Sequence, residues 1–296
     1  MPRRFALPCV YAVAALATVV TTVAPLATTP ASGIAGPEEP VLPYIVTARN
    51  RADARDLLGE APWRVRRSYL AALPGFATYL SARQAAQLRT DRRVRALEPD
   101  RRLRPSPAHP ARRAHHGGAD PSGGHGDGHG VTVYVVDSGL DVTQHGFGDR
   151  AWRAYDATGG RGQDCDGHGT RMARALAGRK YGVAREARIA SVRVLDCAGT
   201  GSLSDVIAGI DWIRGHARGP AVTNLSIPVR SAALRTALRR LARAGVPVVT
   251  GPEAVAHLLE SQGDASPSAL ASWWKSTAAR GVIRQNPTRT HPGGGQ

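Results

Sequence analysis

The sequence predicts an α/β protein, a parallel sheet flanked by helices, preceded by a small α+β domain. Three observations carry this. From residue 131 onward, short apolar runs alternate with segments of helical periodicity, the pattern of a parallel sheet covered on both faces. Over 44–104, strand and helix patterns follow in the order βαββαβ, which makes a ferredoxin-like sheet with two helices on one face. Between them, residues 105–130 are rich in Pro, Gly and His and nearly devoid of apolar side chains, the composition of a disordered linker.

At the N-terminus, Arg3 and Arg4 precede an apolar run over 5–26 and small residues over 27–35. Charge, apolar core and small residues in that order read as a secretory signal over 1–35. A single-pass anchor is the alternative, since ~20 residues suffice to span a bilayer. Pro8 and Pro25 interrupt the run and several Thr dilute it, which favours export and leaves no stable membrane anchor after cleavage. Cys9 leaves with the signal, and Cys165 and Cys197 remain. A pair of cysteines in an oxidising compartment suggests one disulfide, closing a loop of about 32 residues and worth ~2–4 kcal/mol. Two buried free thiols are the alternative.

The next unit covers 36–104. After a Pro-rich spacer, 44–48 reads as a strand and 52–58 as a helix. Strands over 63–70 and 75–80 flank a Leu-Pro-Gly turn. Ser81 caps a helix to Thr90, and 94–98 closes the sheet. In the linker, His115, His116, His125 and His129 lack the fixed geometry that a metal site needs. Beyond it, strands are expected at 131–136, 188–194, 221–225 and 246–250, and helices at 168–177, 202–216 and 231–244. Sites on such sheets form at the C-terminal ends of strands, where Asp137 falls.

The formal net charge is +16, from 39 basic and 23 acidic residues. The excess is spread along the chain, and Lys180 and Lys275 are its only lysines. A nucleic-acid site would cluster its charge and interleave it with aromatics, so no nucleic-acid partner is expected.

Several ordered motifs together resemble the subtilisin-like serine proteases, the proteinase K-like branch in particular. They are Val133-Tyr-Val-Val-Asp137-Ser-Gly-Leu, Asp166-Gly-His168-Gly-Thr, Tyr181-Gly-Val-Ala, Val192-Arg-Val-Leu-Asp-Cys197 and Val206-Ile-Ala-Gly-Ile-Asp-Trp-Ile. The 44–104 unit resembles that family's inhibitor-type propeptide, down to Gly75-Phe-Ala and the closing 94–100 segment. The resemblance implies a truncated subtilisin-like domain over 131–296, with Asp137 as orienting acid and His168 as general base. His168 follows Asp137 by about 31 residues, close to the ~32 of subtilisin. It also implies a disulfide between Cys165 and Cys197. A polypeptide substrate would lie as an added strand against Gly201 and Ser202 on one side and Leu225 and Ser226 on the other. No cofactor is implied; calcium occurs in the family, but the residues here do not support it.

Departures from the family are specific. Pro228-Val229 replaces Gly-Gly beside the specificity pocket, removing one backbone donor. Arg171 and Arg174 stand on the histidine's helix where the family has His and Gly, and are expected to strain its core or need partners. After Val249 the family continues into an Ala-Ala-Gly-Asn loop carrying an oxyanion donor. This chain goes from Thr250-Gly directly to Pro252-Glu-Ala-Val, and 264–283 resembles the family's C-terminal helix and closing segment. An internal deletion near 249–252 is therefore expected, which should open a sheet edge and expose apolar surface.

The nucleophile falls in that gap. Subtilisin places its serine ~190 residues after the acid, near position ~327 here. No Gly-Thr-Ser occurs in the 296 residues. Ser261, Ser266 and Ser268 surround a Gly-Asp turn, and none follows a strand as an activated serine does. The expectation is a secreted endopeptidase precursor by descent, inactive as written. The alternatives are a non-catalytic secreted protein whose propeptide-like module binds or inhibits a related protease, and a degraded reading frame.

Overall fold

The computed structural model describes residues 39–60, 64–105, 127–144, 146–180, 182–228 and 230–260. The expected signal over 1–35, most of the expected linker, and the tail with Ser261, Ser266 and Ser268 lie outside the described residues.

The small unit contains β1 (Leu42–Ala48), α1 (Arg51–Glu60), β2 (Arg64–Tyr69), β3 (Gly75–Leu80), α2 (Ala82–Thr90) and β4 (Val94–Pro99). Its strands form an antiparallel sheet in the order β2-β3-β1-β4. α2 starts with a capping box: Gln84 N donates to Ser81 Oγ (3.3 Å), and Ser81 N donates to Gln84 Oε1 (2.9 Å), so two orphan donors are satisfied reciprocally. Both faces of the sheet are apolar. Val46, Phe76 and Leu80 meet Ala54 and Leu57 of α1 and Ala85 and Leu88 of α2. Their strand neighbours Ile45 and Ala77 face the other way, as period two requires, and join Tyr69 in the core of the larger unit.

β5 (Arg102–Leu103) ends the small unit. The larger unit follows with β6 (Thr132–Asp137), β7 (Ala151–Asp156), α3 (His168–Ala177), β8 (Arg188–Arg193), β9 (Gly201–Ser202), α4 (Leu203–His216), β10 (Ala221–Leu225), α5 (Ala232–Arg243), β11 (Val248–Val249) and α6 (Pro252–Glu260). Five strands make a parallel sheet in the order β11-β10-β6-β8-β7. Val133 and Val135 of β6 pack under Ala173 and Leu176 of α3 and Val255 and Leu258 of α6. Tyr134 and Val136 pack on the opposite face, with Val206 and Ile210 of α4 and Leu234 of α5. The sheet is thus covered on both faces, and β6 is its central strand.

Two sequence expectations need correction. Arg171 and Arg174 are exposed, while Thr170, Ala173, Leu176 and Ala177 of the same helix are buried. The 3.6-residue period turns both guanidinium groups to solvent, so neither strains the core. The expected apolar exposure in the larger unit is also absent among the described residues. The large exposed apolar side chains are Val41, Leu42, Val65 and Tyr79, all in the small unit. α6 turns back directly after the two-residue edge strand β11, and its Val255, Leu258 and Leu259 cover the face the deletion would have opened. β7 and α6 were not foreseen. β7 is an edge strand of half-buried residues, Ala-Trp-Arg-Ala-Tyr-Asp, too polar to read as a core strand.

Acidic groups join the small sheet to the α4–α5 pair. Asp100 Oδ1 accepts from Ser204 N (2.9 Å) in the first turn of α4. Glu98 accepts from Ser231 Oγ (2.9 Å), Ala232 N (3.1 Å) and Ala233 N (2.8 Å) at the start of α5. These carboxylates satisfy helix N–H groups that have no partner within the helix. In the reverse direction, Asp211 of α4 accepts from the backbone N–H groups of Leu70, Ala71, Ala72 and Leu73 at 2.5–3.3 Å. Asp205, almost buried, pairs with Arg66 (3.2 Å) and Arg67 (3.1 Å) of β2.

Candidate active site

Asp137 is the last residue of β6 and is fully buried. His168 opens α3 and is 7% exposed. Its Nδ1 lies 2.8 Å from Asp137 Oδ1 and 2.9 Å from Oδ2. A carboxylate only accepts, so Nδ1 carries the proton and the lone pair is left on Nε2. Asp137 Oδ1 also accepts from Ser138 N (2.8 Å), which fixes the carboxylate's rotation. The Asp137 contact is the main cause raising the His168 imidazole above its ordinary value; burial and the Arg171 guanidinium oppose it. Nε2 is buried and has no hydrogen-bond partner among the described residues.

The turn before α3 is organised by a residue that the sequence reading missed. Gly167, at the helix N-cap, adopts φ +87° and offers no side chain to cap the first turn. Asp164 takes that role. Its Oδ1 accepts from Ser138 Oγ (2.9 Å), Asp166 N (3.2 Å) and Gly167 N (2.8 Å). Its Oδ2 accepts from Thr170 N (2.8 Å) and from Thr170 Oγ1. Burial raises the Asp164 carboxyl, but these donors outweigh it and hold the group below the ordinary carboxylate range. Ser138 Oγ in turn accepts from Gly169 N (2.9 Å). The only signal for this hub was an uncapped Gly-His helix start with an acid a few residues upstream.

Gly169 brings helix and strand together. A Cβ there would stand 2.3 Å from Gly139 O and 3.3 Å from Asp137 Cβ, so only glycine permits α3 to approach the end of β6.

Cys165 and Cys197 are joined by a disulfide with Cα atoms 5.0 Å apart. It ties the turn before His168 to the segment after β8. Arg193 fills the space beneath it, donating to Gln163 O (2.8 Å) and Leu195 O (3.1 Å) with Nη2 3.2 Å from Cys165 Sγ.

Gly201 and Ser202 form β9, which pairs antiparallel with β5: Arg102 faces Ser202 and Leu103 faces Gly201. The tail of the small unit therefore lies as a strand on these residues. The Ser202 hydroxyl caps α4, accepting from Asp205 N (3.1 Å). Leu225 ends β10 and Ser226 follows it; both are buried and stand outside the β5–β9 pair. Asn224 Nδ2 donates to Ser226 Oγ (3.3 Å), and Asn224 Oδ1 accepts from Gly251 N (2.9 Å), which pins the turn between β11 and α6. Pro228 is exposed, and Val229 lies outside the described residues.

A strand-end carboxylate orienting a helix-start imidazole has the geometry of the acid–base half of a nucleophilic hydrolase site. Comparison with known proteins agrees with that class. Residues 128–251 match the subtilase family of peptidases, and residues 44–106 match the peptidase inhibitor I9 family. An extracellular serine proteinase of Thermus sp. (strain Rt41A) is 40% identical over 213 residues, which cover 67% of this chain and 51% of the relative. Alkaline serine exoprotease A of Vibrio alginolyticus is 37% identical over 192 residues, covering 59% of this chain and 36% of the relative. The crystal structure of fervidolysin from Fervidobacterium pennivorans, a keratinolytic enzyme related to subtilisin, superposes with a TM-score of 0.52 at 19% identity, over 72% of this chain and 40% of that one. That last likeness is one of fold alone. The chain spans about half the length of the first relative and about a third of the second. Residues 128–251 are therefore a subtilisin-like S8 peptidase segment, and an I9 propeptide-type segment over 44–106 precedes them.

Proposed function

We propose that this chain is a secreted subtilisin-like serine endopeptidase precursor whose catalytic site is incomplete, so that the chain by itself does not hydrolyse peptide bonds. The observation that carries this reading is the state of His168. Asp137 orients the ring and Nδ1 is engaged, yet Nε2, the atom that would take a proton from a nucleophile, has no partner among the described residues. A general base that meets no hydroxyl among the described residues has none there to activate. The absence of Gly-Thr-Ser from the sequence supports the same reading, and the extracellular relative supports export.

In this reading Asp137 is the orienting acid, His168 the base, and Gly201, Ser202, Leu225 and Ser226 the strands that would flank a polypeptide substrate. Residues 1–35 are the signal, 36–104 the inhibitor-type propeptide with a ferredoxin-like fold, 105–130 a linker, and 131–296 the peptidase-like domain. The sheet order β2-β3-β1-β4 with both helices on one face favours that assignment for the small unit. The pairing of β5 with β9 supports reading the small unit's tail as the occupant of the substrate strand. Purified chain incubated with casein is expected to release no peptide. Steady release that disappears in His168→Ala would overturn the reading.

A second reading has its own support. The small unit has a sheet apolar on both faces, one covered by α1 and α2 and the other packed with α4 and α5 through Ile45, Tyr69 and Ala77. Residues 36–104 are then expected to inhibit a related subtilisin-like protease. Full protease activity at micromolar concentrations of this fragment would exclude it.

A further inference from the structure

The Cys165–Cys197 disulfide rests on a buried positive charge. Arg193 is the last residue of β8, in register with Asp137 of β6 and Asp156 of β7, and is 8% exposed. Two carbonyls hold its guanidinium in place: Nη1 donates to Gln163 O (2.8 Å) and Nε to Leu195 O (3.1 Å). Nη2 is left facing the bridge, 3.2 Å from Cys165 Sγ and 3.6 Å from Cys197 Sγ, and these sulfurs are the polar contacts it makes among the described residues. Asp156 Oδ2 stands farther off, 3.7 Å from Nη1, and accepts from Gly162 N (2.7 Å). Both cysteines are exposed. The bridge is thus open to solvent on one side and backed by a guanidinium on the other.

A sulfur in a disulfide is a weak acceptor, whereas a thiolate is an anion that a guanidinium favours strongly. Arg193 therefore stabilises the reduced pair more than the bridged one. Stabilising the thiolate makes a disulfide easier to reduce and its sulfur a better leaving group. Nearby carboxylates would oppose a thiolate, but each is engaged by backbone donors. Asp164 accepts from Asp166 N and Gly167 N, Asp166 from His168 N, and Asp196 from Ala198 N and Thr200 N. The shorter guanidinium contact is to Cys165, which makes Cys165 the leaving sulfur and Cys197 the one attacked.

We propose that Cys165–Cys197 is a thiol-exchange site, opened by low-molecular-weight thiols of the glutathione class with Arg193 holding the released thiolate. An external thiolate attacks Cys197 Sγ and forms a mixed disulfide there, while the Cys165–Cys197 bond breaks and its electron pair leaves on Cys165 Sγ. A second thiolate attacks the glutathione sulfur, releasing Cys197 as a thiolate and leaving oxidised glutathione. The bridge gains two electrons and two glutathione molecules lose them. Cys165 stands just before His168 and Cys197 just before β9, so opening the bridge unties the imidazole's turn from the strand that pairs with β5.

The test uses the full oxidised chain in reduced and oxidised glutathione at pH 8, quenched with iodoacetamide and read by peptide mass spectrometry. The first adduct should carry glutathione on Cys197 and the alkyl group on Cys165. Arg193→Gln, with folding checked by circular dichroism, should lower the equilibrium constant for reduction about tenfold. The sign separates this role from a merely structural one, because loosening the turn around the bridge would make it easier to reduce. An unchanged or raised constant in folded Arg193→Gln would overturn the proposal. Glutathione found first on Cys165, or equally on both cysteines, would overturn it too, and that reading decides alone if Arg193→Gln does not fold.

Discussion

Asp137 grips the His168 ring through both carboxylate oxygens. The bond to Asp137 raises the imidazole's affinity for a proton in the folded chain. The stabilisation this gives is full below the unfolded histidine value of ~6.5 and is lost as pH rises through the higher folded value. Asp137→Asn is therefore expected to lower the His168 titration midpoint, read from the imidazole resonances by NMR. Its destabilisation should be larger at pH 5 than at pH 9, read by urea unfolding. An unchanged midpoint would show that the carboxylate does not hold the ring. Asp164 makes a separate case. It accepts five hydrogen bonds from the turn and first helical residues around His168. Asp164→Ala leaves buried donors without partners and should cost about 3 kcal/mol in urea unfolding. A cost below about 1 kcal/mol would mean that solvent replaces it.

Among elements, the α3–β6 junction and the capped helices carry most of the architecture. Gly169→Ala would press a methyl group into Gly139 O and part α3 from Asp137. Soluble, folded Gly169→Ala protein with an unaltered His168 titration would contradict this. Glu98→Ala removes three bonds from the start of α5 and is expected to destabilise the chain by about 1–2 kcal/mol, measured by chemical unfolding. The elements also show what the residues could disclose in advance. The strand ending in Asp137 and the Asp-Gly-His-Gly-Thr helix start were legible because their apolar run, glycines and spacing all point one way. Asp164 was not, because a lone acid in a Gly-rich turn looks like any solvated loop residue. Arg171 and Arg174 were misjudged because a motif comparison fixes position in the chain but not phase around the helix. β7 escaped because an edge strand need not be apolar, and α6 because it begins where the family match ends, at residue 251.

At the scale of the whole molecule, one core runs through both units. Ile45, Tyr69 and Ala77 of the small sheet share an apolar cluster with α4 and α5, so the small unit completes the fold of the larger one. The Cys165–Cys197 disulfide closes a 32-residue segment containing His168, and its reduction should lower unfolding free energy by about 2–4 kcal/mol, read by urea unfolding with and without reductant. No change would mean that the packing alone holds that segment. On the proposed reading, this architecture keeps the frame of a protease: an oriented base, a strand site and the module lying on it. The claim that the frame lacks its nucleophile is tested most directly by a fluorophosphonate, which bonds covalently to an activated serine. Folded, secreted protein treated with this reagent should show no added mass by mass spectrometry. Stoichiometric labelling of one serine, lost in His168→Ala, would contradict the account.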